Sequence, residues 1–171
     1  MLEIIKGRRS IRRYKTDPIP EERIASLLEA AMYAPSARNG QPWHFVVCDD
    51  RGVIDALRAE HPYASMLETA PVCVVVCGEG DAAVPGYWQQ DCAAATENLL
   101  IAAHGMGLGT CWMGVAPRED RMEPVRRVLG LPKGIEPFNM IAVGYPDERP
   151  KAPARYRTDR IHRNRWGAAE G

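Results

Sequence analysis

The run of residues 71–78, Pro-Val-Cys-Val-Val-Val-Cys-Gly, constrains the fold of this chain more than any other segment. It holds four valines and no charged side chain, and it therefore predicts a strand that is buried on both faces. A strand of this kind needs a packed layer on either side. The chain is therefore expected to form a layered domain.

Helical and strand patterns alternate along the rest of the chain. Helices are predicted at residues 2–8, from the Pro18-Ile19-Pro20 start to just before Pro35, and at 51–60, 90–104 and 117–129, whereas strands are predicted at 43–49, 71–78, 108–114 and 138–144. Residues from Tyr145 onward contain early prolines and no clear period, which predicts an extended tail. This alternation favours an α/β or α+β class. Because the sequence shows neither an internal repeat nor a domain boundary, residues 1–171 are predicted to form one domain.

Composition and charge exclude several classes of protein. The chain has 171 residues, 22 basic and 22 acidic side chains and 46% hydrophobic residues, so it is not a disordered chain or a fibre. The zero net charge argues against a nucleic-acid partner and leaves no bulk electrostatic barrier to self-association. The tail nevertheless has a local basic excess, in Arg149, Lys151, Arg155, Arg157, Arg160, Arg163 and Arg165.

The cysteines and histidines indicate neither disulfides nor a metal site. The five cysteines form no C-x-x-C pair, and several lie in apolar runs where cysteine packs as a small hydrophobe. The four histidines have no paired metal-ligand spacing. Because there is also no secretory signal and no run of ~18 apolar residues, we expect a reduced, cytoplasmic protein outside the membrane.

Three glycines at positions 105, 107 and 109 suggest a dinucleotide-binding loop, but their context does not fit one. Such a loop follows a strand and opens a helix, whereas these glycines follow a predicted helix and precede a predicted strand. They are predicted to form a helix C-terminus and turn. No Walker A sequence and no G-x-S-x-G motif is present.

The segment Arg8-Arg9-Ser10-Ile11-Arg12-Arg13 is the first candidate site. If the chain is extended here, alternation points Arg8, Ser10 and Arg12 the same way, and arginine is well suited to a bidentate grip on phosphate. The alternative is a solvated basic surface.

Two further segments are candidates for contact with a flat heterocycle. Residues 34–43, Ala-Pro-Ser-Ala-Arg-Asn-Gly-Gln-Pro-Trp, join a helix to a strand, and Asn39 and Gln41 offer amides that both donate and accept. Residues 107–114, Gly-Leu-Gly-Thr-Cys-Trp-Met-Gly, form a strand that can present backbone N–H groups to a ring. The alternatives are a plain loop for the first and a core strand with Trp112 packed inside for the second.

Five ordered motifs together resemble the FMN-dependent nitroreductase family. They are R-R-S-x-R near the start, A-P-S-A-R-N-G-Q-P-W from Ala34, D-x-x-A-A-x-E-N-L-L-x-A-A over 91–103, G-L-G-T-C-W-x-G over 107–114, and V-G-Y-P followed by R-Y and I-H-x-N-R-W in the tail. The resemblance covers nearly the whole chain. It implies an α+β fold, a three-layer α-β-α sandwich with a mixed, mostly antiparallel sheet, in an intertwined homodimer whose residues 146–171 wrap the partner.

The resemblance also implies two FMN sites at the subunit interface. Arg8, Ser10 and Arg12, with Arg9 beside them, would hold the phosphate, ribityl chain and ring edge. Pro35, Ser36, Ala37 and Asn39 would come from the partner, with Gln41 on the substrate side. Cys111, Trp112, Met113 and Gly114 would face the ring, and Arg155, with Arg157 as a second candidate, would reach the phosphate.

The implied reaction needs no catalytic side chain. Flavin N5 would accept hydride from NADH or NADPH and pass electrons to nitro, quinone or enone acceptors in ping-pong fashion, with Arg12 near N1 and O2. The identity of the acceptor stays open, because only residues 62–67 and 81–89 are available to form a lid over the pocket. Tyr87 and Trp88 are predicted either to belong to that lid or to be buried in the core. Dehalogenation, flavin fragmentation and azoline oxidation remain alternatives on this fold, as does a non-catalytic flavin module.

Overall fold

A computed structural model describes residues 1–80 and 84–167 of the chain. Its helices are α1 (Leu2–Gly7), α2 (Glu21–Met32), α3 (Arg51–Glu60), α4 (Trp88–Gly105) and α5 (Glu119–Leu129), and its strands are β1 (Trp43–Cys48), β2 (Val72–Glu79), β3 (Gly109–Gly114) and β4 (Ile135–Gly144). Short 3₁₀ turns cover Ala37–Asn39, Ser65–Glu68 and Thr158–Arg160. Every predicted helix and strand is confirmed, with ends displaced by at most a few residues.

The four strands form one antiparallel sheet in the order β1-β2-β4-β3. β2 lies inside the sheet, and Val74, Val75 and Val76 at its centre are fully buried, which confirms the prediction of a strand covered on both faces. Ser10 adds an isolated parallel bridge to Thr110 at the β3 edge. The sheet is therefore mixed and mostly antiparallel, as expected.

Helices cover both faces of the sheet and give the three-layer sandwich. On one face α3 and α5 pack over one side of β2 and β4, through residues such as Ile54 and Val125. On the other face α2 and α4 pack together over the opposite side, through Leu27 and Leu99. Each fully buried leucine of this kind contributes about 1.5–3 kcal/mol through removal of its apolar surface from water.

The three glycines at 105, 107 and 109 have the structural role predicted for them. α4 ends at Gly105, and Gly107 takes a left-handed backbone with φ of 77°. The N–H of Leu108 then donates to the carbonyl of Ala103, and Gly109 opens β3. These residues form a helix end and a turn and do not form a dinucleotide loop.

All five cysteines are buried free thiols. Burial raises the pKa of Cys48 to about 11 and the pKa of Cys77 and of Cys92 to about 12. Among the described helices, none is long and apolar enough to cross a bilayer.

Candidate functional site

The arginine-rich N-terminal segment lies against the edge of β3. The N–H of Ile11 donates to the carbonyl of Thr110 at 2.9 Å, beside the Ser10–Thr110 bridge. A Cβ on Gly109 would stand 2.8 Å from Cγ1 of Ile11, so the close approach requires glycine at that position. The first candidate segment is thereby brought next to the third.

Residues 145–148 hold the same segment from its other side. The N–H of Lys15 donates to the carbonyl of Tyr145, and the N–H of Asp147 donates to the carbonyl of Arg13, both at 2.9 Å. The carboxylate of Glu148 accepts the backbone N–H of Arg12. The backbone of residues 10–15 is therefore fixed between β3 and the start of the tail.

Tyr14 anchors this segment from below. Its hydroxyl donates to the carbonyl of Ile11, and its ring packs so closely that a Cβ on Gly144 would stand 2.8 Å from it. Burial raises the pKa of Tyr14 far above its usual range, so the hydroxyl stays protonated as a donor.

A cavity of about 730 Å³ opens beside Arg8 and Arg9. Its other polar lining residues are Lys15, His104, Thr110, Asp147, Glu148 and Arg149. Arg8 faces Glu97 at 3.3 Å with its side chain only 17% exposed. Nε of Arg9 is buried and has no hydrogen-bond partner among the described residues. Nη1 of Arg9 donates to the carbonyls of Lys6 and Arg8, which fixes its guanidinium beside the cavity. The cavity thus has an excess of basic side chains, which suits an anionic group.

Sequence reasoning missed the contribution of Lys15, His104 and Arg149 to this cavity. Lys15 is also basic and lies two residues after Arg13, so extending the first candidate segment by two residues would have included it. His104 sits at the end of α4 and Arg149 in the tail, so only the three-dimensional fold brings them to the N-terminal segment.

A second cavity, of about 420 Å³, is formed where β3 ends. It is lined by Arg12, by Cys111, Trp112, Met113 and Gly114, by residues of the segment 61–66, and by Arg121. A Cβ on Gly114 would meet no atom within 4 Å, and the backbone of Gly114 is outside the left-handed region. Neither packing within the chain nor backbone conformation therefore requires glycine here.

The side chains of β3 alternate between the two cores. Cys111 and Met113 are buried with α3 and α5, and burial raises the pKa of the Cys111 thiol, so it is not a ready nucleophile. Trp112 is half-buried on the opposite face, with its ring centroid 5.6 Å from that of Phe138. The tryptophan side chain thus packs in the core, as the alternative for this strand proposed.

The loop of the second candidate segment has a strained but well-held backbone. Arg38, Asn39 and Gln41 have left-handed φ values of 51°, 55° and 48°, each costing on the order of 1 kcal/mol. The buried carboxylate of Asp91 accepts the N–H of Ala37 at 3.0 Å, and Oγ of Ser36 accepts the N–H of Gln41 at 3.0 Å.

Within one chain this loop does not line either cavity beside the arginines. Pro35 and Asn39 are exposed, and Asn39 and Gln41 line a separate groove with Met32 and Tyr33. Tyr33 is 80% exposed there. The second candidate segment therefore faces outward, away from the first and third.

Unlike Arg149, the tail arginines predicted for the site, Arg155 and Arg157, lie outside the two cavities. Arg155 and Arg157 are exposed, and Arg157 donates to Asp159 at 2.8 and 2.6 Å. Large exposed side chains accompany them, with Trp166 at 89% and Tyr156 at 82% exposure. A single chain does not bring Arg155 to Arg8 and Arg12.

Of the two aromatic lid candidates, Trp88 belongs to the core. Its ring packs over Gly78 and lies 6.1 Å from the ring of Phe138, whereas Tyr87 is half-exposed. In the segment 62–67 only Tyr63 is strongly exposed among the large side chains. Residues 81–83 of the other lid segment lie outside the described residues.

Among the residues that the structure describes, no cluster of three metal-ligating side chains occurs. Basic side chains outnumber the two acidic ones, Asp147 and Glu148, in the first cavity, and Arg12 and Arg121 line the second, so both cavities can hold anions and carbonyl oxygens. The arrangement can therefore bind a ligand that has an anionic end and a flat ring.

Comparison with known proteins gives consistent matches. The model of the Nitroreductase family matches residues 5–61 and 51–145. A protein of Methanothermobacter thermautotrophicus, provisionally named an NADH dehydrogenase/NAD(P)H nitroreductase, is 45% identical over 167 residues, covering 97% of this chain and 87% of the relative.

Solved structures agree with the sequence matches. A provisionally named NADH dehydrogenase/NAD(P)H nitroreductase from Parabacteroides distasonis superposes with a TM-score of 0.93 at 42% identity, over 96% of this chain and 98% of the other. An FMN-dependent nitroreductase from Clostridium difficile gives 0.91 at 28% identity, over 97% and 100% of the two chains.

Proposed function

The chain belongs to the nitroreductase family, and on that premise we propose that its two cavities hold one FMN and serve electron transfer to nitro, quinone or enone acceptors. It is an NAD(P)H-dependent oxidoreductase with FMN as cofactor, as its family membership implies. The residues that bind the cofactor, the acceptors and the two-chain site are the proposed parts.

The observation that carries the proposal is the open surface at Gly114. Neither the backbone nor the packing of this chain uses the missing side chain, yet the glycine ends a strand that Arg12 lines from the side. A flat ring lying on the strand would use that space. The residues present therefore fit the ring of FMN.

The larger cavity fits the other end of the same cofactor. Arg8, Arg9, Lys15 and Arg149 supply four positive charges against the two carboxylates of Asp147 and Glu148. Arginine and lysine are the usual protein ligands of a phosphate group. Arg8 and Arg9 would hold the phosphate, and Ser10, between them and Arg12 in the chain, would contact the cofactor between its two ends.

When bound, FMN supplies hydride acceptance from NAD(P)H and electron delivery to the acceptor, at flavin N5. The chain's own residues position and balance this chemistry. Arg12 would offset negative charge at the ring edge, and the backbone N–H of Gly114, on the free edge of β3, would face the ring. Donor and acceptor would use the same exposed face in turn, and no protein acid or nucleophile takes part.

We propose further that each site is completed by a second chain. The loop 35–41 and Arg155 line neither cavity of their own chain, and both lie beside large exposed apolar side chains. In a homodimer, Pro35, Ser36, Ala37, Asn39 and Gln41 of one chain would lie along the flavin of the other. Residues 146–150 pack against their own chain, which moves the start of the predicted partner-wrapping segment from residue 146 to beyond residue 150. The later tail, with Arg155 and Arg157, would wrap the partner and reach the phosphate.

The test begins with the absorbance spectrum of the purified protein, with FMN added if it is colourless. Anaerobic titration with NADH and then NADPH should bleach the flavin band, and a quinone or a nitroarene should restore it. Protein that binds no FMN would refute the proposal. Bound flavin that neither nucleotide reduces would indicate a specialised flavoenzyme or a non-catalytic module instead. Sedimentation should give a dimer, and an active monomer would contradict the two-chain site.

A further inference from the structure

The carbonyl oxygen of Gly114, at the end of β3, receives two side-chain donors. Nε2 of His61 lies 2.9 Å from it, and Nη1 of Arg121 lies 3.1 Å from it. Nδ1 of His61 accepts the N–H of Tyr63, so the ring proton must be on Nε2, where it is donated to Gly114. The next peptide N–H, that of Val115, donates to the carbonyl of Phe138. The peptide group that follows Gly114 is thus fixed from both ends.

Arg121 differs from the other arginines at α5. Arg118 pairs with Asp120 at 2.9 Å, Arg127 pairs with Glu60 at 2.9 Å, and Arg126 pairs with three glutamates. Arg121 has no carboxylate within ion-pair distance in residues 1–80 and 84–167. Its guanidinium instead lies 5.3 Å from the ring centroid of Tyr63, and its Nε is buried without a hydrogen-bond partner.

The position of Arg121 is electrostatically unfavourable for the helix itself. It lies in the first turn of α5, where the helix dipole favours anions and disfavours cations. The pKa of the Asp120 carboxyl is lowered chiefly by its hydrogen bond to Arg118 and to a smaller extent by Arg121. Because Asp120 is paired with Arg118, the half-buried guanidinium of Arg121 still adds positive charge at the second cavity, which it lines together with Arg12. In the described chain no acidic side chain lines this cavity.

We propose that Arg121 is a positioning and charge-balancing residue for the flavin ring, acting with His61 on the Gly114 peptide and with Arg12 on the charge of the ring. This inference rests on the proposed function. Hydride delivery brings two electrons and one proton, so the ring region gains one negative charge unless a second proton follows. A nearby cation without a counter-ion stabilises that charge and raises the two-electron reduction potential of bound FMN.

The test compares the reduction potential of bound FMN, measured by equilibration with a reference dye, in wild type and four variants. Arg121→Gln removes the charge, Arg121→Lys keeps it, and His61→Gln alters the other donor to Gly114. Arg127→Gln is the matched control, because it removes one charge from the same helix at a residue that lines neither cavity. If Arg121→Gln does not keep the native circular dichroism, Arg121→Met, which keeps the aliphatic stem, replaces it.

We expect Arg121→Gln to reduce the preference for reduced over oxidised flavin about tenfold, which lowers the two-electron potential by about 30 mV. Arg121→Lys and Arg127→Gln should stay near the wild-type potential. His61→Gln should weaken the binding of oxidised and reduced FMN alike and leave the potential unchanged.

An unchanged potential in the charge-removing variant would overturn the inference. So would an equal drop in His61→Gln, because the effect would then arise from movement of the Gly114 peptide alone. Wild-type protein that binds no FMN would instead refute the proposed function, so the two failures are distinguishable.

Discussion

Replacement of Gly114 by alanine tests the open surface at the end of β3. The added methyl group would meet no protein atom within 4 Å, and the backbone is in a region that alanine adopts freely. The apoprotein should therefore keep its fold. A ring lying on the strand, by contrast, would meet the methyl group directly.

Gly114→Ala should change the stability of the apoprotein and its affinity for FMN by different amounts. For the apoprotein, alanine restricts the unfolded chain, so the free energy of unfolding should stay equal or rise by up to about 1 kcal/mol. For the cofactor, a methyl group in a close contact costs about 1–3 kcal/mol when neighbours must shift. FMN affinity should therefore fall roughly 5- to 150-fold.

Two measurements separate these effects. Urea unfolding of the apoprotein, followed by circular dichroism, gives its stability, and titration with quenching of flavin fluorescence gives the dissociation constant of FMN. Gly109→Ala is the matched control, since its methyl group would stand 2.8 Å from Ile11 and should destabilise even the apoprotein. Wild-type FMN affinity in Gly114→Ala would show that the ring does not lie on this strand end. A marked loss of apoprotein stability would show that the packing argument is wrong.

Three other measurements address separate parts of the molecule. Arg8→Ala should weaken FMN binding by roughly 1–3 kcal/mol, because a charge-assisted contact is lost. Arg58→Ala, outside both cavities, should leave FMN binding unchanged. If Arg8→Ala and the wild type bind FMN with the same dissociation constant, Arg8 is not part of the site. Asp91→Asn should lower the free energy of unfolding by about 1–2 kcal/mol, because the N–H of Ala37 loses its carboxylate acceptor. In the same urea assay, replacement of the exposed Asp55 by Asn should lower the free energy of unfolding by less. Burial raises the pKa of Cys48 to about 11, above the ~8.5 of an unfolded thiol. The contribution of this buried thiol to the free energy of unfolding is therefore fully present at neutral pH and falls as the pH rises above about 9. Urea unfolding at about pH 8 and about pH 10 checks this sign, and higher stability at the alkaline pH would contradict it.

Local patterns in the sequence were enough to predict the layers of the fold. The valine run of β2 and the helical spacing of α2 and α4 each lie within one element, so the sequence alone indicates which of their residues are buried. The glycines after α4 were also predicted correctly, because their position between a helix and a strand decides their role. The joining of the first and third motifs could be expected only from the resemblance.

Contacts between distant segments could not be predicted from such patterns. Nothing in the sequence around Arg121 distinguishes it from Arg126 or Arg127, and only the fold shows which of them has no acidic partner. Likewise, the contact of His61 with Gly114 joins residues 53 positions apart. The outward direction of the loop at 35–41 depends on left-handed backbone at three non-glycine residues, which composition does not indicate.

The two-sided hold on residues 10–15 has a consequence for the order of folding. The arginines are synthesised first, but the carboxylate that accepts the N–H of Arg12 belongs to a residue 136 positions later, after every strand of the sheet. Contacts of such long sequence separation form late, because chain closure must precede them. The N-terminal segment, with its core residues Ile11 and Tyr14, is therefore fixed in place only after β4 and residues 145–148 have been synthesised. Uptake of FMN during synthesis would thus report that the whole chain through Glu148 is in place.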